Sequence, residues 1–159
     1  MFKQHQITKE LLLQAETWSD FKGNKYTLSD NEQDQIGGAL GEILFSNKYP
    51  AAKRLSNTDR QTDFLLKDKR VDVKTIIQKY PPILNHSIHV NEYQKDYLTD
   101  FYYFFCYDCQ NKVLHDLGFI SKNDFYNSAT FYEKGDYFPN SNKQMKESMY
   151  RLSINNLVR

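Results

Sequence analysis

Asp63, Asp72 and Lys74 are the residues of this chain whose types and spacing could do chemistry. They fall in two short apolar segments, Thr62-Asp63-Phe64-Leu65-Leu66 and Val71-Asp72-Val73-Lys74-Thr75-Ile76, joined by Lys67-Asp68-Lys69-Arg70. Both segments have strand composition and strand length, so together they read as a hairpin. Pairing Leu66 with Val71 leaves a four-residue loop, and a tighter turn at Asp68-Lys69 gives the same register. Asp63 then lies opposite Lys74, and Leu65 opposite Asp72. Opposed residues share a face, as do residues two apart on one strand, so the two acids and the lysine converge. A slip of one residue would break the cluster. Two acids that hold Mg²⁺, beside a lysine near the attacking water, are what metal-assisted phosphodiester hydrolysis requires. The bare spacing also suits a solvated hairpin face with Lys74 as a surface ion-pair partner.

The elements that must position these residues come from the rest of the pattern. At 159 residues the chain is expected to form one domain with a proper core. Residues 8–18 read as a first helix, with Leu11, Leu12, Ala15 and Trp18 at helical spacing. A polar loop follows. Ser29-Asp30-Asn31-Glu32 is a capping box opening a second helix to about Phe45, whose stripe is Ile36, Leu40, Ile43 and Leu44. Residues 47–60 read as irregular. Beyond the hairpin, residues 87–90 read as a strand, and Asn91 as the cap of a helix to about Leu98. Residues 101–107 and 112–120 are further strands, and Ser121 opens another helix. The tail from Met149 reads as strand or helix. The order α, α, β, β, β, α, β, β, α predicts an α/β domain: a mixed sheet flanked by helices.

Composition sets limits. There are 21 Lys+Arg against 20 Asp+Glu, a net charge of +1, which neither excludes nor supports a nucleic-acid partner, because acids at a metal site offset basic groove residues. No run of 18 apolar residues exists, so no membrane partner is expected, and the N-terminus lacks a signal-peptide stretch. The expected location is the cytoplasm. Cys106 and Cys109 form a lone CxxC, read as ordinary reduced thiols because no second ligand pair accompanies them.

An acid on a helix (Glu42 in Gly41-Glu42-Ile43-Leu44), an Asp on one strand (Thr62-Asp63) and D-x-K on the next (Asp72-Val73-Lys74) resemble the PD-(D/E)xK nuclease superfamily. That superfamily includes restriction endonucleases, Holliday junction resolvases and phage exonucleases. The match covers about residues 36–76. The pattern Gly118-Phe119-Ile120 … Phe125 … Ala129 … Gly135-Asp136 is similar to the tail of some phage and bacterial members. Two departures stand out: Thr62 replaces the Pro, and Asp72 replaces the commoner Glu. Neither removes a required group.

The resemblance implies a restriction endonuclease-like fold and a Mg²⁺-dependent deoxyribonuclease, with Mn²⁺ as a substitute. It implies an endonuclease serving DNA processing, repair or recombination in a phage or bacterium. Asp63 and Asp72 become metal ligands, with the Val73 carbonyl as a third oxygen and Glu42 as a less certain fourth group. Lys74 orients the water or stabilises developing charge. Acting directly as a base would require a depressed pKa. Glu42 falls beside Ala39 and Gly38, small neighbours that let its helix approach the sheet; a solvent-facing Glu is the alternative. Glu32 and Asp59 are rivals, the first explained by the capping box and the second too far from Asp72. Candidate nucleic-acid contacts are Lys48, Lys53, Arg54, Lys67, Lys69, Arg70, Gln78 and Gln94, the last paired with Tyr97 as in some family members. Taken singly, the basic ones are also ordinary surface charges. His86 and His89 read as structural or surface. The first helix, through Leu11, Leu12, Leu13 and Trp18, offers a homodimer surface or, alternatively, a core helix. The other readings are a binding module on this fold that cleaves nothing, and a ribonuclease.

Overall fold

The computed structural model describes residues 1–19, 32–55 and 61–159. In chain order the strands and helices are β1 (Lys3–Gln6), α1 (Lys9–Ser19), α2 (Glu32–Lys48), β2 (Lys53–Arg54), β3 (Phe64–Leu66) and β4 (Lys69–Gln78). There follow β5 (Ser87–Asn91), β6 (Phe101–Asp108), β7 (Val113–Ser121), α3 (Lys122–Ser128), β8 (Thr130–Tyr132) and β9 (Met149–Ser153). Six strands make one mixed sheet in the order β1-β7-β6-β4-β3-β2, and three make a small sheet, β5-β9-β8. Ser29 of the expected capping box and Asp59 lie outside the described residues. Among the described residues no helix is long and apolar enough to cross a membrane.

The hairpin is β3–β4, in a register two residues from the expected one. Phe64 faces Val71, Leu65 faces Arg70 and Leu66 faces Lys69. The turn is Lys67-Asp68, both with positive φ (48° and 64°). Two left-handed residues in a two-residue loop match the twist of the flanking strands, and Asp tolerates that conformation through its short polar side chain. A shift of two leaves every side chain on its expected face, because the period of a strand is two. Extending the register sets Asp63 opposite Asp72, where the expected one set it opposite Lys74.

Strand β4 runs parallel to β6, and β6 antiparallel to β7. Both faces of β6 are covered, so that strand is apolar almost throughout. Val71, Val73 and Ile77 join Tyr103, Phe105 and Tyr107 under α1 and α2 in one core. Ile76 joins Tyr102, Phe104 and Cys106 under Ile88, Val90, Leu152 and Phe125 in the other. Burial raises the Cys106 thiol to about 12, as suits an inert core thiol. The second face is thus covered mainly by the small sheet, where flanking helices were expected on both faces. The expected helix at residues 91–98 is only a 3₁₀ turn, Glu92–Gln94, and Asn91 makes no side-chain cap. Strands β1, β2 and β8 were not expected. The tail is β9 followed by a 3₁₀ turn, Ile154–Asn156. Leu11, Leu12 and Trp18 pack against the first core, which makes α1 a core helix, and only Leu13 of that set is exposed.

Helix α2 reaches the sheet through Gly37 and Gly41, one turn apart. A Cβ on Gly37 would stand 2.6 Å from the Ile77 side chain, and one on Gly41 would collide with the Thr75 hydroxyl. Of the two small neighbours expected to do this, Ala39 is buried in the first core and Gly38 faces open space. Gly41→Leu is therefore expected to cost about 1–3 kcal/mol through overpacking. Gly38→Ala should instead gain up to about 1 kcal/mol of helix propensity. Urea unfolding midpoints of the two variants check the opposite signs.

Candidate active site

Asp63 stands where β3 parts from β4. Its amide donates to the Val71 carbonyl at 3.2 Å, and its carbonyl accepts from the Leu55 amide at 2.8 Å. Its carboxylate accepts the Val73 amide at 2.7 Å and so supplies the partner that β3 no longer does. The Arg70 and Gln78 carbonyls accept from Asp100 and Cys109 on the β6 side, each at 2.9 Å. Even-numbered backbone groups of β4 therefore face β6, and odd-numbered ones face β3. The Val73 carbonyl thus lies on the same edge as its amide, the edge that Asp63 occupies.

Asp72 and Lys74 project from the second face of β4, beside Tyr102 and Phe104 in register. Asp72 is 6 % exposed. The Lys74 ammonium sits 2.8 Å from its Oδ2. Burial alone would lower the Lys74 pKa, but the charge and hydrogen bond of Asp72, with Asp63 and Tyr93, more than reverse it. Lys74 is held as an ammonium, which suits charge stabilisation and not proton abstraction.

Glu42 approaches from the other face, on α2. Trp18 Nε1 donates to its Oε2 at 2.8 Å, and Arg54 to the same oxygen at 3.2 Å. The Arg54 guanidinium also lies 4.1 Å from the centre of the Trp18 ring. This clamp leaves Oε1 as the oxygen it does not take. Burial raises the Glu42 carboxyl, Trp18 and Arg54 oppose it, and Asp72 adds to the rise. Burial raises Asp63 well above the carboxylate range, reinforced by Glu42 and Asp72 and opposed by Lys74 and the Val73 amide. Three acids thus share one electrostatic site with too little positive charge among them.

Such a donor set fits a small divalent cation. Asp63, Asp72 and the Val73 carbonyl offer hard oxygens, and Mg²⁺ ordinarily keeps several waters in place of a full protein cage. Among the described residues, no three His, Cys, Asp or Glu side chains stand close enough to hold an ion by themselves. Glu42 is drawn toward Trp18 and Arg54, which is the physical reason the third acid does not complete a cluster.

The expected nucleic-acid residues divide. Lys48 is committed elsewhere: it pairs with Asp116 and hydrogen-bonds the Tyr103 hydroxyl, both at 2.6 Å. Arg54 holds Glu42. Gln78 turns back to the Tyr80 carbonyl at 2.8 Å, and lies roughly 13 Å along the strand from Lys74. Arg70 is half-buried, its amide donating to Asp100 at 2.8 Å. Lys53, Lys67 and Lys69 are exposed, the last two at the hairpin tip. Gln94 is half-buried on the 3₁₀ turn, and Tyr97 packs edge-on against Tyr93 at 6.2 Å. The neighbouring Tyr93 adds to the forces that raise the Lys74 ammonium.

Other residues at the site were missed. His89 keeps an exposed surface, yet its packed surroundings, Arg151 and Lys74 hold its imidazole below the usual range. Tyr126 on α3 feels the charge of Lys74 and Lys95. The small sheet and α3 bring these groups toward Lys74, and no spacing in the sequence announces that. Comparison with known protein families and with characterised proteins finds no match to this chain.

The crowded acids set a pH dependence. Asp63 and Glu42 are raised in the folded chain, so the stability they contribute is full below the unfolded carboxyl range. It is lost as pH rises through their folded values. Asp63→Asn keeps an oxygen for the Val73 amide and removes the charge. It is expected to raise the metal-free Tm at pH 7 by roughly 2–4 °C, with the gain gone by about pH 4. Melts in EDTA at the two pH values check this.

Proposed function

We propose that this chain is a Mg²⁺-dependent deoxyribonuclease on a restriction endonuclease-like fold, acting as an endonuclease in DNA processing, repair or recombination. One observation carries the reading: Asp63 is fastened to the Val73 amide at 2.7 Å while the adjacent residues Asp72 and Lys74 form a 2.8 Å ion pair. The order of elements supports it too. An acid-bearing helix, an antiparallel hairpin with the acids at its open end, and a parallel strand beside D-x-K follow the superfamily pattern.

Asp63, Asp72 and the Val73 carbonyl would hold the metal, with Mn²⁺ an adequate substitute. When bound, the ion supplies a polarised phosphate oxygen and a more acidic water. The remaining work belongs to the chain. Lys74 keeps its proton and would face the non-bridging oxygens as negative charge builds on them. Asp72 fixes the ammonium in place, so little reorganisation accompanies the reaction. Glu42, held at Oε2 by Trp18 and Arg54, adds its charge to the site. Water oxygen bonds to phosphorus as its proton passes to solvent, the P–O bond to the leaving oxygen breaks, and that oxygen takes a proton from solvent. A binding module without chemistry is the second reading, and the clamping of Glu42 by Trp18 and Arg54 favours it.

Supercoiled plasmid and circular single-stranded DNA, incubated with Mg²⁺ or EDTA, separate the two. Cleavage is expected only with metal. Asp72→Asn should abolish it, and Lys74→Ala should slow turnover by about 10²–10³ while DNA affinity changes by no more than about 3-fold. Folded variants that cleave at the wild-type rate would overturn the roles of Asp72 and Lys74, and a wild type inert with Mg²⁺ would return the chain to the binding module.

A further inference from the structure

A ladder of aromatic rings leads from the surface to the acids. Phe131, on the outer strand β8, is 40 % exposed. Its ring lies 5.0 Å from that of Tyr150, which meets Tyr126 edge-on at 4.8 Å. Tyr126 in turn shares a 3.2 Å hydroxyl contact with Tyr102, the residue paired with Asp72 across β4 and β6. The inner rings have a structural purpose, since Tyr126 and Tyr150 border the second core and Tyr102 belongs to it. Phe131 has no place in either core.

Positive charge accompanies the ladder. The Lys95 ammonium lies 5.3 Å from the Tyr150 ring centre and 5.8 Å from that of Tyr126, with its nitrogen 3.1 Å from the Tyr150 hydroxyl. Lys74 acts electrostatically on Tyr126 from the inner end. An exposed ring, two half-buried rings behind it and the ammonium groups beside them match one ligand chemistry in both respects. Unpaired bases stack on the rings while the intervening phosphates meet the cations. A closed duplex shields the faces of its bases, so it could use the cations but not the rings.

We propose that the Phe131–Tyr150–Tyr126 ladder is a stacking platform for unpaired bases, and that the DNA strand cut beside Lys74 is single-stranded or locally opened. This rests on the nuclease reading and narrows its substrate class. Base–aromatic stacking is sequence-tolerant, because every base has a π face. The platform therefore explains how a strand could be held in register with the acids without base-specific contacts.

The test uses the full chain carrying Asp72→Asn, to prevent cleavage. The probe is a short oligonucleotide with 2-aminopurine, used alone and annealed to its complement. The expected result is tighter binding of the single strand, with 2-aminopurine fluorescence quenched on binding. Adding Phe131→Ala should weaken single-strand binding by about 5- to 100-fold and leave the duplex within about 2-fold. Phe131→Trp should restore it. Lys95→Gln should weaken both probes and flatten the salt dependence. Equal losses on both probes, or none, overturn the platform. If wild-type chain with Mg²⁺ still cuts both DNA forms alike, only this inference falls. If it neither binds nor cuts either form, the nuclease reading falls with it.

Discussion

The hydrogen bond from the Val73 amide to the Asp63 carboxylate is the contact on which the site depends. It sits where β3 ends and β4 continues, so one edge of β4 would otherwise leave polar backbone without a strand partner. An unpaired amide in a packed interior costs about 1–3 kcal/mol, and the carboxylate removes that cost. The same bond fixes Asp63 against Asp72 and turns the Val73 carbonyl toward the shared edge. Local strand geometry and the placement of the acids are thus one fact.

Strand β4 divides the site between two layers. Its odd-numbered side chains belong to the core under α1 and α2, and Asp72 and Lys74 project from the other face toward the small sheet. Glu42 can act on Asp63 only because β3 stops short and α2 lies close, the closeness being set by Gly37 and Gly41. Packing and electrostatics oppose each other here. The helix is drawn down by apolar burial, and it brings a third acid toward two others. Arg54 and Trp18 hold that acid.

Much of this was legible from residue types. Face parity survives a shift of two, so Asp63, Asp72 and Lys74 keep a common face although the turn is at Lys67-Asp68. Ser121 was readable as a helix start because the signal is local, its hydroxyl accepting from the Asp124 amide. Strands of two to four residues such as β1, β2 and β8 carry too little pattern to be seen. In the crossover between β4 and β6 the strand at residues 87–90 was legible as β5, and residues 91–98 were misread as a helix where only the 3₁₀ turn Glu92–Gln94 forms. Lys48 and Arg54 were read as phosphate contacts because nothing local reveals an ion pair to Asp116 or a clamp on Glu42. The aromatic ladder joins α3, β8 and β9, and only the tertiary fold assembles it.

The central claim is that Asp63 and Asp72 form a divalent-cation site. Titration of Mn²⁺ into the pure chain, followed by electron paramagnetic resonance of the free ion, reads that claim without any substrate. The account predicts saturable binding that Mg²⁺ competes away, lost in Asp63→Asn/Asp72→Asn and only weakened in Glu42→Gln. Mn²⁺ binding that is absent from the wild type, or unchanged in the double variant, would contradict it.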